Sequence, residues 1–259
     1  MAAWGWSAVL YAGYLVGLGC VGRTRRRGRA VTASAAYGIA AAAAATLDNV
    51  TAQVVLPGAC TLGGYWLSGL FAGTPQQWLE QWLLQSDRAL FRRLSIDRLL
   101  AAAPLWSLEV LEFSYSTVYL VVVAGAVAMA LIGREAILYF WAVVLPAELI
   151  CYAALPFLRS RPPRSLEPTG VIASRAPIMR RVNDAIIGRG SIQVNTIPSG
   201  HVAGATAAGL AVMSWLPAVG AVLLVSAGLI AVAATVGRYH YAIDCVLGAG
   251  VGLAVWWVA

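Results

Sequence analysis

Two histidines are the only imidazoles in the 259-residue chain, His201 and His240, and each stands at the polar edge of an apolar run. His201 follows Pro198-Ser199-Gly200. His240 lies in Gly237-Arg238-Tyr239-His240-Tyr241-Ala242-Ile243-Asp244. Asp244 is four residues after His240, so both can share one helix face. A carboxylate so placed fixes the imidazole tautomer and prepares a nucleophile or base. Ser199 reads as a helix N-cap, and Gly200 lets a ligand approach the backbone. Free N–H groups at Ser199 and Gly200, with the helix dipole behind them, favour an anion. Arg161 and Arg164 offer bidentate contacts to phosphate oxygens. Arginines, a helix start, two histidines and one carboxylate describe metal-free phosphoryl transfer. Each feature alone has a plainer explanation: an interfacial histidine, a chance Pro-Ser-Gly-His string, topogenic arginines. Their conjunction carries the functional reading.

These residues need a membrane scaffold to position them. The chain is 60% apolar and only 11% charged, against about 25% charge in an average soluble domain. Its mean hydropathy is +0.76. These values exclude a disordered chain, a fibre and an ordinary water-soluble enzyme. They point to an all-α, polytopic helical bundle of six to eight spans. All 18 basic residues are arginine. The absence of lysine excludes a Schiff base, a P-loop lysine and a Ser-Lys dyad. The arginines lie between apolar segments, so the net charge of +7 speaks for topology and phosphate contact, not nucleic acid. Cys20, Cys60, Cys151 and Cys245 are scattered singly in apolar stretches, with no metal-like spacing.

The apolar segments are Ala3 to Val21, Val31 to Leu47, Val50 to Ala72, Leu105 to Ile132, Ala136 to Leu158, Ser199 to Leu216, Pro217 to Val236 and Ala242 to Ala259. The first lacks a basic start and a cleavage site, and reads as a retained helix. Asp48 and Asn49 make the second and third a hairpin. Thr74 to Leu100 interleaves Trp78, Leu79, Trp82, Leu83, Leu90, Phe91 and Leu94 with charges, the pattern of one or two amphipathic interfacial helices. Residues 1–104 form N-terminal membrane helices with this interfacial segment, and 105–259 a catalytic membrane core. Arg159 to Pro198 is a long polar stretch with seven arginines and no strong periodicity. Two crossings between His201 and His240 put both on one face, with that stretch. Glu109, Glu112 and Glu148 lie in apolar segments, where a carboxylate is a site candidate by default. Pairing with arginine or with backbone groups between helices is the favoured reading of all three.

From about Leu108 to Trp257 the sequence resembles the phosphatidic acid phosphatase type 2 superfamily. That family carries K-x6-R-P, then P-S-G-H, then S-R-x5-H-x3-D. Here Pro198 to His201 matches the second signature in full, His240 to Asp244 the end of the third, and Arg161-Pro162 the end of the first. Ala154 replaces the family lysine, and Ala233-Ala234 replace Ser-Arg. Arg161-Pro162-Pro163-Arg164 and His240-Tyr241 with Asp244 resemble more closely the inositolphosphoryl-ceramide synthase-like subgroup. The resemblance implies that His240 attacks phosphorus and Asp244 orients it. His201 protonates the leaving group and then activates water or an alcohol. Arg161, Arg164, Arg238 and the N–H groups at Ser199 and Gly200 hold phosphate oxygens, with Arg164 and Arg238 as candidates to fill the altered clamp. No cofactor and no metal are implied. The partners are a lipid phosphate and the bilayer, in a cell membrane.

Three functions follow: a lipid phosphatase, a lipid phosphotransferase with an alcohol acceptor, and a transporter or other non-catalytic membrane protein that kept the fold. The last would be signalled by loss of a histidine or of Asp244, and all three are present. The face of the membrane divides two arguments. The run Arg23 to Arg29 is expected inside, and four crossings bring the loop at Arg159 to the same side. Many members of the resembling family work on the outer face.

Overall fold

The computed structural model describes every residue except Arg23, Arg25 and Thr169. The fold is an all-α membrane bundle, and no strand forms among the described residues. The N-terminal helices are α1 (Ala3–Cys20), α2 (Arg27–Ala44) and α3 (Val50–Ser68), with α3 extended by a 3-10 turn at Gly69–Phe71. Asn49 breaks α2 from α3 and caps α3 by accepting from the Ala52 N–H at 3.1 Å. The interfacial segment becomes α4 (Gln77–Arg93) and α5 (Ile96–Ala102). The core holds α6 (Leu105–Ser116), α7 (Val118–Ile132) and α8 (Arg134–Ala154). The arginine-rich stretch, without clear periodicity in the sequence, folds as α9 (Pro163–Leu166), α10 (Val171–Arg175) and α11 (Ile178–Gly190). Three helices close the chain: α12 (Gly200–Met213), α13 (Pro217–Val236) and α14 (Ala242–Val258).

Each of the eight apolar segments forms a helical element. By length and composition, Val50–Phe71, Arg134–Ala154 and Pro217–Val236 are able to cross a membrane. The fourth segment differs from a single straight span: α6 and α7 meet at Thr117 with a bend of 52°, and together qualify as one broken crossing. The Thr117 hydroxyl donates to the Ser114 carbonyl at 2.7 Å at that break. The remaining apolar helices are shorter or less apolar, and they pack into the same bundle.

α12 is central, touching α7, α8, α13 and α14. Its sequence is nearly all Gly, Ala and Val, which lets backbones approach closely. A Cβ at Gly248 of α14 would stand 2.5 Å from the Ser199 carbonyl oxygen. That contact brings the start of α14 onto the start of α12, where the Ser199 N–H donates to the Asp244 carbonyl at 2.9 Å.

Chain direction sets the two faces. The Thr24 hydroxyl donates to the Leu70 carbonyl at 2.7 Å, and the Gln76 N–H to the Arg159 carbonyl at 2.8 Å. The α1–α2 turn, the end of α3, α4 and the start of the arginine-rich stretch therefore share a face with both histidines. On the opposite face Arg134 pairs with Asp48 at 2.8 Å. Among the described residues Arg134 is the only arginine there. Of the expected cytoplasmic run, Arg23 and Arg25 lie outside the described residues, whereas Arg26, Arg27 and Arg29 lie on the histidine face.

Candidate active site

The polar termini of three helices converge here. The first is the start of α12. Ser199 caps it, its hydroxyl accepting from the Val202 N–H at 3.4 Å. His201 follows one residue into the helix. The second is the turn between α13 and α14. Both the Tyr239 and His240 N–H groups donate to the Ala234 carbonyl, at 2.9 and 3.0 Å. Arg238 holds a left-handed φ of +63°, the turn that carries the chain into His240. Tyr241 caps α14, and Asp244 at the third helical position accepts the Tyr241 N–H at 3.1 Å. The carboxylate of the site is thus also a helix start. The third is α9, whose Arg164 N–H donates to the Arg238 carbonyl at 2.9 Å.

The imidazoles of His201 and His240 stand 5.7 Å apart, centre to centre. His240 Nδ1 lies 3.6 Å from Asp244 Oδ2, beyond hydrogen-bond reach. Oδ2 already accepts from Asn195 Nδ2 at 2.6 Å. Three buried atoms are left without a partner: His240 Nδ1, Asp244 Oδ1 and Asn195 Oδ1. With Nδ1 turned to Asp244, Nε2 is the nitrogen left to react. His240 is buried, and that burial, with the Arg164 cation nearby, pushes its pKa down to about 3. The ring is therefore neutral at pH 7. His201 stacks on Tyr115 and meets Tyr119 edge-on, both at 5.9 Å. Its ring nitrogens make no hydrogen bond among the described residues.

The phosphate ligands expected from sequence divide. Arg164 makes no ion pair among the described residues, and its guanidinium sits 5.4 Å from the Tyr239 ring centre. Arg161 is engaged elsewhere. Its Nε and Nη2 both donate to Glu80, each at 2.9 Å. Arg238 pairs with Asp87 at 3.1 Å and also with Glu167. The physical reason is α4. Its buried stripe carries Glu80 and Asp87 along with Leu79, Leu83 and Phe91, and buried carboxylates need cations. Burial pushes Asp87 up to about 6 even with Arg238 beside it. The backbone donors differ from expectation too. The Ser199 N–H donates to the Asp244 carbonyl at 2.9 Å, and the Gly200 N–H to the Thr196 hydroxyl at 3.4 Å. The His201 N–H is the one in this helix start with no partner among the described residues.

Two groups of site residues were not foreseen. Asn195 is one. It is fixed by an isolated antiparallel bridge to Ser160, with its N–H donating to the Ser160 carbonyl at 2.8 Å. No signal in the sequence marks it, because its partner lies 49 positions away. The other is the set of residues gathered around Glu112, a carboxylate expected from the sequence to pair with arginine or with backbone groups. Glu112 accepts from Tyr239 Oη at 2.5 Å, Asn183 Nδ2 at 2.8 Å and Arg180 Nη1 at 3.2 Å. Arg180 Nη1 also donates to the Gly237 carbonyl at 2.6 Å. Tyr239 stacks on Tyr115 at 3.9 Å, so the cluster braces the turn that carries His240. Glu112 thus pairs with arginine, and Glu109 caps α11 by accepting the Ile178 and Met179 N–H groups at 2.6 and 2.9 Å. Glu148 departs from that pattern: its Oε2 is buried without a partner, and a Cβ on Gly204 would stand 2.0 Å from its Oε1.

Among the described residues no three His, Cys, Asp or Glu side chains are grouped to hold a metal ion. A neutral histidine beside a carboxylate, a second histidine and an unpaired arginine are suited to nucleophilic attack on a phosphate ester. A family model described as the PAP2 superfamily matches residues 81–258, which include all of these side chains. No curated protein and no solved structure matches the chain.

Proposed function

Because the chain belongs to the PAP2 superfamily, we propose that it is an integral-membrane, metal-independent lipid phosphatase working through a phospho-histidine. The observation that carries this reading is the buried pair: His240 Nδ1, without a partner, lies 3.6 Å from Oδ2 of the Asp244 carboxylate, whose other oxygen is also unpartnered. Asp244 accepts a hydrogen bond from Nδ1–H and orients the ring. Nε2 attacks phosphorus, an N–P bond forms, and the P–O bond to the lipid breaks. His201, 5.7 Å away, gives its proton to the departing alkoxide. It then takes a proton from water, which attacks phosphorus, breaks the N–P bond and releases inorganic phosphate with His240 regenerated. Arg164 and the free His201 N–H hold the equatorial oxygens, in place of Arg161, Arg238 and the N–H groups of Ser199 and Gly200.

The test is phosphate release by purified chain from a panel of lipid phosphates with EDTA present. Sustained release is expected. Loss in chelator with recovery in magnesium overturns the metal-independent chemistry. Added alcohols separate the two enzymatic readings, since a phosphotransferase of the inositolphosphoryl-ceramide synthase-like kind yields a phosphorylated alcohol at the expense of free phosphate.

We infer further that the site faces the cytoplasm of a cell membrane. Support comes from the arginine distribution, since arginine-rich short loops stay inside and Arg134 alone marks the other face among the described residues. A cysteine at Ser165, with Cys20, Cys60, Cys151 and Cys245 replaced, should resist an impermeant maleimide in intact cells. Labelling there reverses the orientation.

A further inference from the structure

On the face of the bundle that carries the histidines lies a cavity of about 500 Å³. It is walled by α4, α5, α10, Arg180 of α11, Arg164 with Leu166 to Pro168 and Gly170, and the Gly237–Arg238 turn. Five arginines line it: Arg88, Arg92, Arg164, Arg180 and Arg238. Only Asp97 and Glu167 oppose them. Arg88, Arg180 and Arg238 have carboxylate partners. The Arg92 and Arg164 side chains have none among the described residues.

Arg164 belongs to both places. It acts on the charge of His240 and it forms part of the cavity wall. A phosphoryl group held between His240 and Arg164 therefore borders the cavity directly. The lining is mixed, with five guanidinium groups set among apolar side chains, and apart from Val236 at the end of α13 no spanning helix contributes, so the cavity offers a lipid tail no continuous apolar wall. The volume lies in the range of small-ligand pockets, about 300–1,000 Å³. Planar guanidinium forks match phosphate and carboxylate oxygens. The apolar part of the lining, Phe91, Leu100 and Ile172, lowers the local dielectric and strengthens each such contact.

We propose that this cavity binds a second anionic group, a phosphate or carboxylate joined to the substrate's reacting phosphoryl. The assignment rests on the phosphoryl-transfer reading above and narrows its substrate class. Two sources share the chemistry: the second phosphate of a lipid diphosphate, and an anionic headgroup on a phosphodiester. Arg92 and Arg164 supply the free charge, and the paired arginines hold the walls in place.

Binding tests this without requiring turnover. A lipid methylenebisphosphonate and the phosphonate of the same chain are titrated into the purified full chain in nanodiscs. The bisphosphonate should bind about tenfold more tightly, the scale of one added charged hydrogen-bonding contact. Arg92→Gln and the cavity-filling Ala173→Phe should each reduce that ratio to about threefold or less, and Arg92→Lys should keep most of it. Phosphonate affinity in the same variants reports that they are folded. Equal affinity for the two ligands in the unaltered chain overturns the assignment, as does a ratio that survives both variants. Turnover of a lipid diphosphate and of a diester with a phosphorylated headgroup, each against its counterpart lacking the second anion, identifies the source. A chain that shows the binding ratio and hydrolyses nothing breaks the phosphatase reading while leaving the cavity assigned.

Discussion

Two buried polar clusters flank the same short turn, Gly237 to Tyr241, and they are built on opposite terms. Around Glu112 the anchoring contacts are made. Its carboxylate takes a phenol, an amide and a guanidinium, and Arg180 also bonds the Gly237 carbonyl. Around His240 they are not. His240 Nδ1, Asp244 Oδ1 and Asn195 Oδ1 are all buried and unpartnered, and Arg164 has no carboxylate partner among the described residues. A buried polar atom without a partner costs about 1–3 kcal/mol. The saturated cluster holds the turn, and the other leaves the His240 imidazole and the Asp244 carboxylate with unpaired atoms beside it. The same contrast separates the arginines: Arg161 and Arg238 are tied to α4, and Arg164 is free.

Substitutions on the two sides should fail in different ways. The largest effect is expected from His240→Ala, a loss of about 10⁴-fold or more in turnover with little change in melting temperature. Glu112→Gln should give the reverse signature. It leaves the Arg180 charge buried beside a neutral amide, at a cost of about 3 kcal/mol in stability, while the folded fraction keeps most of its turnover. A Glu112 variant that is stable but inactive breaks the contrast.

Arg164→Gln comes next, with a loss of about 10²–10³-fold expected for one transition-state contact. Arg161→Gln should cost less than about threefold in turnover, since its guanidinium is committed to Glu80 and not to the substrate. The pH profile sharpens this pair. Burial and the Arg164 cation hold His240 near 3, so the nucleophile stays neutral through mildly acid conditions. The acid limb of kcat/KM attributable to it lies below the free-histidine value of about 6.5. Removing the cation favours imidazolium, raises the pKa and moves that limb to higher pH. An acid limb unmoved in Arg164→Gln separates Arg164 from His240.

The smallest effect is assigned to Asn195→Ala, about tenfold in kcat with KM nearly constant, because Asn195 touches Asp244 and not the substrate. Asn195→Asp should not restore turnover, since it places a second carboxylate beside Asp244. A rise in KM without loss of kcat would move Asn195 from positioning to substrate contact.

The sequence displayed the scaffold more fully than the clamp, for a physical reason. Apolar runs and their breaks are local, so all eight helical segments were legible, as was the placing of His201, His240 and Asp244 at one face. The bend at Thr117 was not, because no proline or glycine marks it. Arginine assignments depend on which carboxylates share the interior. Glu80 and Asp87 read as a solvated face of α4, yet the structure buries both. That single difference accounts for Arg161 and Arg238. Asn195 reaches Asp244 only through a bridge to Ser160 formed in the folded chain, and no spacing encodes it.

The central claim is that His240 becomes covalently phosphorylated, and one measurement addresses it directly. Purified chain is mixed briefly with a lipid phosphate labelled at phosphorus, quenched in alkali and mapped by peptide. The account predicts an acid-labile, alkali-stable phosphoryl group on His240, absent in His240→Ala and longer-lived in His201→Ala. Label on another residue, or turnover that persists in His240→Ala, would contradict it.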